Sequence, residues 1–269
     1  MALTINNTIT QRLRTMSALG WLVTANLAVF LILRLIAACN IFLGDRSMEA
    51  AALSFVELPL SIPDLIRHPW TVVTYMFSQF DVFHLIFNVL WLYWFGQFFL
   101  DFSTERRLVG LYLAGGLTGA FLFVLAGNFL PSIPMNSHLI GSSASVLAIV
   151  AATAIVTPNR EIGIMFLGGV KLKWIALIMV VFDLIGIGAD NAGGNIAHIG
   201  GALAGLVAAL WMLRRHPRMK AAEPAGHATQ KPAGEAELDR LLDKIRRSGY
   251  GSLTIEERRT LFEISNRMK

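Results

Sequence analysis

Between residues 17 and 213 the chain alternates long apolar runs with short polar connections. Runs at roughly 17–38, 82–100, 108–130, 142–157, 172–188 and 194–213 are long enough, and poor enough in charge, to be read as membrane-spanning helices. No Asp, Glu, Lys or Arg occurs between Arg107 and Arg160, nor between Asp190 and Arg214. The pattern predicts an all-α polytopic membrane protein with six transmembrane helices. The connection from about 39 to 81 is too long for a simple turn. It holds Pro59, Pro63 and Pro69 and apolar patches such as "ALSFVELPLSI" that are too short to span. Loops of that kind serve a function or lie partly in the membrane interface.

Past residue 214 the pattern changes. Residues 215–235 form an Ala/Pro/Gly-rich linker, and 236–269 read as a small cytoplasmic helical hairpin. In the hairpin Leu238, Leu241, Leu242 and Ile245 fall on one helical face, and Gly249 is placed to end that helix. Thr254 and Glu257 have capping-box spacing at the start of the next. The hairpin carries no catalytic constellation and is read as a regulatory or docking appendage, open to a cytoplasmic partner.

Composition agrees with the pattern. The chain is 55% hydrophobic and 15% charged, where soluble domains carry about 25% charged residues. Its net charge of +5 does not point to nucleic acid, because the basic residues sit at span ends and in the tail. Arg12 and Arg14 precede the first span. Arg106, Arg107, Arg160, Lys171 and Lys173 fall in the second and fourth connections, and Arg214, Arg215, Arg218 and Lys220 follow the last span. The opposite side has Arg46 and Arg67. This bias puts both termini, including the segment 1–16, in the cytoplasm. The N-terminal stretch lacks a small-residue cleavage site, so the first span is expected to be retained. The single cysteine, Cys39, has no disulfide partner in the chain, and no metal-ligand spacing is present. Neither a cofactor nor a metal is expected.

Polar groups inside spans are costly and are candidates for function. His84 and Asn88 stand four residues apart on one face of the second span. Ser143 heads the fourth span, and His198 lies about one turn into the sixth. All three spans run from outside to inside, so at about 1.5 Å per residue the four side chains share a level near the outer boundary. A serine hydroxyl needs a neighbouring base to act as a nucleophile, and a neutral imidazole is suited to that work. The amide of Asn88, the ring of His84 and the unpaired backbone N–H of Ser143 could meet an oxyanion. Gly141 would let the backbone approach a substrate, and Gly201 and Gly205 would let a neighbouring helix come close to His198. Asp190 lies in a loop, and Asp183, inside the fifth span, is expected to hydrogen-bond within the bundle or toward the outer water. The reading is therefore a Ser–His dyad.

Three stretches carry a resemblance to a known family: "HLIFN" (His84 to Asn88), "GSSA" (Gly141 to Ala144) and "AHIGGALAG" (Ala197 to Gly205), with "FDLIG" (Phe182 to Gly186) in the fifth span. In this order on a six-span background, over about residues 17–214, the chain resembles the rhomboid intramembrane serine proteases. The resemblance implies Ser143 as nucleophile, His198 as base, His84 and Asn88 at the oxyanion, and a six-helix bundle with a cavity open to the outside. It also implies transmembrane helices as substrates, cut near their outer ends in the lipid bilayer of the cell membrane, with no cofactor. The chain departs from the family pattern at Ala144, where Gly is common, and at Leu147, where many bacterial members have an aromatic. It departs again at Thr71, where a Trp-Arg pair is common. Two other classes were weighed. A catalytically inactive binder of transmembrane clients fits poorly with intact Ser143, His198 and Asn88. A transporter would place its polar set nearer the midplane, on repeated halves.

Overall fold

The computed structural model describes residues 16–44, 47–130, 133–164, 168–187 and 191–215, and in the C-terminal region 241, 244–245, 251, 253–254 and 256–261. Expectations for residues 1–15, Arg46, Asp190, Arg218, Lys220, most of the linker, Leu238, Leu242 and Gly249 lie outside the described residues. The chain divides into two compact units, Met1–Glu223 and Pro224–Lys269.

Helices occupy all six of the expected segments of the first unit. α1 (Ala18–Leu43) starts at Ser17, whose Oγ accepts a hydrogen bond from the Gly20 N–H. It runs five residues past the expected end and stops at Gly44, which has φ +70°. The long connection then folds into α2 (Ser47–Val56), β1 (Leu58–Pro59), α3 (Ile62–Arg67), α4 (Thr71–Thr74) and a 3₁₀ turn (Tyr75–Phe77). α5 (Val82–Leu100) and α6 (Glu105–Phe129) follow, then β2 (His138–Leu139), α7 (Ser143–Val156) and the hairpin β3 (Glu161–Ile164) and β4 (Gly168–Lys171). α8 (Leu172–Gly186) and α9 (Ala192–Arg215) complete the unit. α1, α5, α6 and α9 are long and apolar enough to cross a membrane. The two β pairs have no counterpart in the sequence reading, because strands of two to four residues leave no readable alternation.

α7 is the centre of the packing. Every residue from Ala144 to Ala154 is buried, and a helix apolar on all sides belongs in a core. Its 14 residues give about 21 Å, short of the roughly 30 Å of a bilayer core. Gly141 and Ser142, which precede it, are buried as well, so it begins inside the bundle. Its neighbours reach it through faces without side chains. On α9, a Cβ at Gly201 would collide with the Ala144 carbonyl, and one at Gly205 with the Ala148 carbonyl. On α6, a Cβ at Gly115 would lie 2.5 Å from the Ala148 methyl, and one at Gly119 2.7 Å from the Ala144 methyl. Ala144 thus fits because Gly119 leaves room for its methyl group.

The long connection is tied down at several points. The Trp70 indole donates to the Phe55 carbonyl at 3.0 Å, and the Thr74 hydroxyl donates to the Val56 carbonyl at 3.2 Å. Antiparallel pairing sets Leu58 opposite Leu139 and Pro59 opposite His138. The loop is thereby stitched to the segment that leads into Ser143. In the second unit, Thr254 Oγ1 accepts from the Glu257 N–H, and a Glu257 carboxylate oxygen accepts from the Thr254 N–H at 2.8 Å. This is a reciprocal capping box at the expected positions.

Two tests follow from this packing. Gly201→Ala should cost about 3 kcal/mol or more, because a backbone carbonyl cannot move aside as a side chain can. Gly110→Ala, at a position with nothing within 4 Å of the added methyl, should instead gain about 0.5–1 kcal/mol from helix propensity. Equal unfolding midpoints for the two variants in detergent would contradict the packing described. In the second unit, hydrogen bonds from the Lys244 ammonium, and then from the Thr254 N–H, hold the Glu257 carboxyl down at about 2. Its folded value lies below its unfolded one. The contribution is therefore complete above about pH 4.5 and lost as pH falls from there toward 2. Amide exchange of residues 256–261 should accelerate over that window, and Glu257→Gln should remove the dependence.

Candidate active site

The site is assembled from four helices and the loop stitched to them. Ser143 is the first residue of α7. Its hydroxyl lies 2.6 Å from His198 Nε2 on α9, and His198 Nδ1 lies 2.6 Å from Asp183 Oδ1 on α8. An ionised carboxylate can only accept, so Nδ1 carries the ring proton and donates to Asp183. The neutral ring then presents an unprotonated Nε2, which accepts from the Ser143 hydroxyl. Asp183 is buried, and His198 keeps 24% of its side chain exposed.

The expectation that no carboxylate would orient His198 is therefore corrected. Asp183 lies 15 residues before His198 and on another helix. α8 and α9 pack together, and the chain reverses between them. That reversal brings a residue one turn from the end of α8 level with one two turns into α9. Levels match across a helical hairpin where sequence separation does not.

Three serines begin the α7 segment, and the structure gives each a different neighbour. Ser142 Oγ accepts from Gln79 Nε2 at 2.9 Å. Ser145 Oγ is buried without a partner among the described residues, at the close approach of α7 to Gly116 on α6. Ser143 faces the imidazole. His138 is exposed and belongs to β2, away from that contact.

His84 is the third residue of α5. That helix starts where it does because Asp81 caps it, with Oδ1 accepting from the His84 N–H at 2.7 Å. Gly141 has φ +135°, in the region that favours glycine. A methyl placed there would stand 2.8 Å from His84 Cε1, 3.2 Å from His84 Nε2 and 3.6 Å from Ser143 Oγ. The edge of the His84 ring and the Ser143 hydroxyl thus border one small space that only glycine leaves open. One turn further along α5, Asn88 is buried, and its side-chain Nδ2 has no acceptor among the described residues. An unpaired buried donor is costly unless a partner arrives. The N-terminus of α7 adds backbone donors and the positive end of its dipole at Ser143.

Behind this layer lies a polar network that sequence reasoning missed. Gln79 Nε2 donates to Asn26 Oδ1 at 2.6 Å as well as to Ser142, and Asn26 Nδ2 donates to the Tyr112 hydroxyl at 3.0 Å. Tyr112 donates to the Met76 carbonyl at 2.6 Å, and Tyr75 to the Gly116 carbonyl at 2.5 Å. The Gly141 N–H donates to the Tyr75 carbonyl at 3.0 Å. The signal was present as polar residues in or beside spans, Asn26 and Gln79 above all. Gly201 and Gly205 contact α7 as expected, below the reacting groups.

Comparison with known proteins gives a consistent picture. Residues 67–215 match the family model described as Rhomboid domain, and residues 228–267 match DUF6576, a family of unknown function. The chain is 31% identical over 148 residues to the Rhomboid protease GlpG of Photorhabdus laumondii, covering 53% of this chain and 47% of that protein. It is 26% identical over 174 residues to the Rhomboid protease GlpG of Yersinia pestis, covering 63% and 57%. With the RHOMBOID-like protein 12, mitochondrial, of Arabidopsis thaliana it shares 26% identity over 163 residues, or 56% and 48%. The chain spans about half the length of the curated relatives it matches.

The Asp183 contact is open to a direct test. A serine-directed fluorophosphonate should modify Ser143, and Asp183→Asn should slow that modification on the order of 10²-fold, at the lower end of what a positioned base supplies. Modification at an unchanged rate would mean that Asp183 only packs against the ring.

Proposed function

The chain belongs to the rhomboid family, and on that premise we propose that it is an intramembrane serine endopeptidase that cuts transmembrane helices near their outer ends. The observation that carries the reading is the contact of Ser143 Oγ with His198 Nε2 at 2.6 Å. In this reading Ser143 attacks the scissile carbonyl while its proton passes to His198 Nε2, and Asp183 holds the ring in the accepting tautomer. The tetrahedral oxyanion forms in the space bordered by His84 and Gly141. There it accepts from the Asn88 side chain, the His84 ring and the α7 N-terminus. His198, now an imidazolium, returns its proton to the leaving amine. Water then attacks the acyl-enzyme, with His198 again taking the proton.

The same reading sets the membrane topology. α1, α5, α6, α7, α8 and α9 are the six membrane segments of a multi-pass protein of the cell membrane, with both termini in the cytoplasm. α7 can be short because it starts from a cavity open to the outside and not from the membrane surface. A substrate helix must unwind locally there, since an intact helix buries its carbonyls in its own hydrogen bonds. The C-terminal hairpin is a docking unit for a cytoplasmic partner and takes no part in the chemistry.

Reconstitution with a helix-destabilised transmembrane substrate tests the assignment. Ser143→Ala and His198→Ala should each lower cleavage by on the order of 10³-fold or more. Asn88→Ala should lower kcat by about 10²–10³-fold with little change in KM. Cleavage that survives loss of either Ser143 or His198 would refute the mechanism. Capture of the substrate without any cleavage by the unaltered protein would identify a client binder.

A further inference from the structure

Away from the candidate site, a groove of about 520 Å³ runs between α6 and α9 on the outside of the bundle. Its floor on α6 is made by Gly110, Ala114 and Thr118, four residues apart and therefore in one line along the helix. Thr118 presents no free hydroxyl, because its Oγ1 donates to the Ala114 carbonyl at 2.6 Å. Leu203 and Val207 of α9 form the facing wall, and both are exposed. One end is different. Arg107 lines the groove there, and its guanidinium stands 5.6 Å from the Trp211 ring, with the Arg215 guanidinium 4.6 Å from the same ring. Among the described residues, neither arginine is paired with a carboxylate.

We propose that this groove is a binding site for one anionic phospholipid, with an acyl chain along Gly110, Ala114 and Thr118 and the phosphate held by Arg107 and Arg215. Length supports the fit. From Arg107 to Thr118 is eleven residues, or about 16 Å along the helix, and one leaflet of a bilayer core is about 15 Å thick. Charge supports it too, since Arg107 lines the end where a headgroup would lie and Arg215 stands over the same Trp211 ring. Trp211 between them is a residue type that settles at the membrane–water interface. The Arg–Trp contacts hold the guanidinium groups at that level by cation–π attraction while leaving their N–H groups free for phosphate oxygens. A second protein helix is a poorer occupant, because it would have to bring its own anion to the arginine end. The inference requires only that α6 and α9 cross the bilayer, and it is independent of the hydrolytic chemistry.

Native mass spectrometry of the full chain, purified in detergent and offered equal amounts of phosphatidylglycerol and phosphatidylcholine, reads the site directly. The unaltered protein should retain phosphatidylglycerol in preference. Each arginine should account for about fivefold of that preference, so Arg107→Gln with Arg215→Gln should reduce it on the order of twentyfold. Gly110→Leu should abolish retention of either lipid by filling the groove. Its side chain grows into open space, so the fold is kept, and an unchanged unfolding midpoint verifies that. Equal retention of the two lipids by the unaltered protein, undiminished binding in Gly110→Leu, or a dimer mass in place of a lipid adduct would each overturn the proposal. Because the readout is lipid mass and not cleavage, it stands or falls separately from the protease assignment.

Discussion

The hydrogen bond between Ser143 and His198 joins two helices, and it fixes how close their backbones must come. A serine side chain is short, so α7 and α9 have to approach to the point where carbonyl oxygens of one lie where side chains of the other would begin. Gly201 and Gly205 meet that demand at Ala144 and Ala148, and Gly115 and Gly119 meet it from the α6 side. In a membrane no hydrophobic effect drives helices together, so close van der Waals packing of small residues has to do so. One constraint thus sets both the packing and the site. The glycines that bring α9 against α7 also set the 2.6 Å contact.

Around that contact lies a connected set of buried polar groups. Asn26, Gln79, Ser142, Tyr75 and Tyr112 form hydrogen bonds among themselves and to backbone carbonyls. They hold the turn before α5 and the segment before α7 in place, as a connected buried network does. Among the described residues, Gln79 Oε1 within that network and Asn88 Nδ2 are both buried without a partner.

Much of this was legible in the sequence, and the failures have identifiable physical causes. The helices were readable because their apolar runs are long, and α5 matched its expected limits of 82 and 100. α1 ran longer, since apolar residues continue to Leu43 and only Gly44 supplies the left-handed stop. Ser143, His84, Asn88 and His198 were singled out as polar residues at a shared depth on separate spans, with Ser143 chosen among its neighbours by resemblance to the family motif. Asp183 was not, because its relation to His198 depends on how two helices reverse and pack. Nor was the β1–β2 pairing, because two residues on each side carry no periodic signal. The Thr254–Glu257 capping box was readable, being a contact between residues three apart. Local geometry was legible, and geometry between elements was legible only where small residues forced it.

The loop between α1 and α5 shows how these two levels meet. Its sequence looked irregular, yet its anchors form a continuous path toward the serine. Trp70 holds α2 through Phe55, Thr74 holds Val56, β1 pairs with β2, and the Tyr75 carbonyl accepts from Gly141. The backbone at Gly141 is therefore positioned from outside α7. Trp70 retains the anchoring role through its own indole N–H, without an arginine beside it. What the loop must preserve is the position of one glycine with φ +135° between His84 and Ser143. Any set of anchors that holds that glycine in place is physically equivalent.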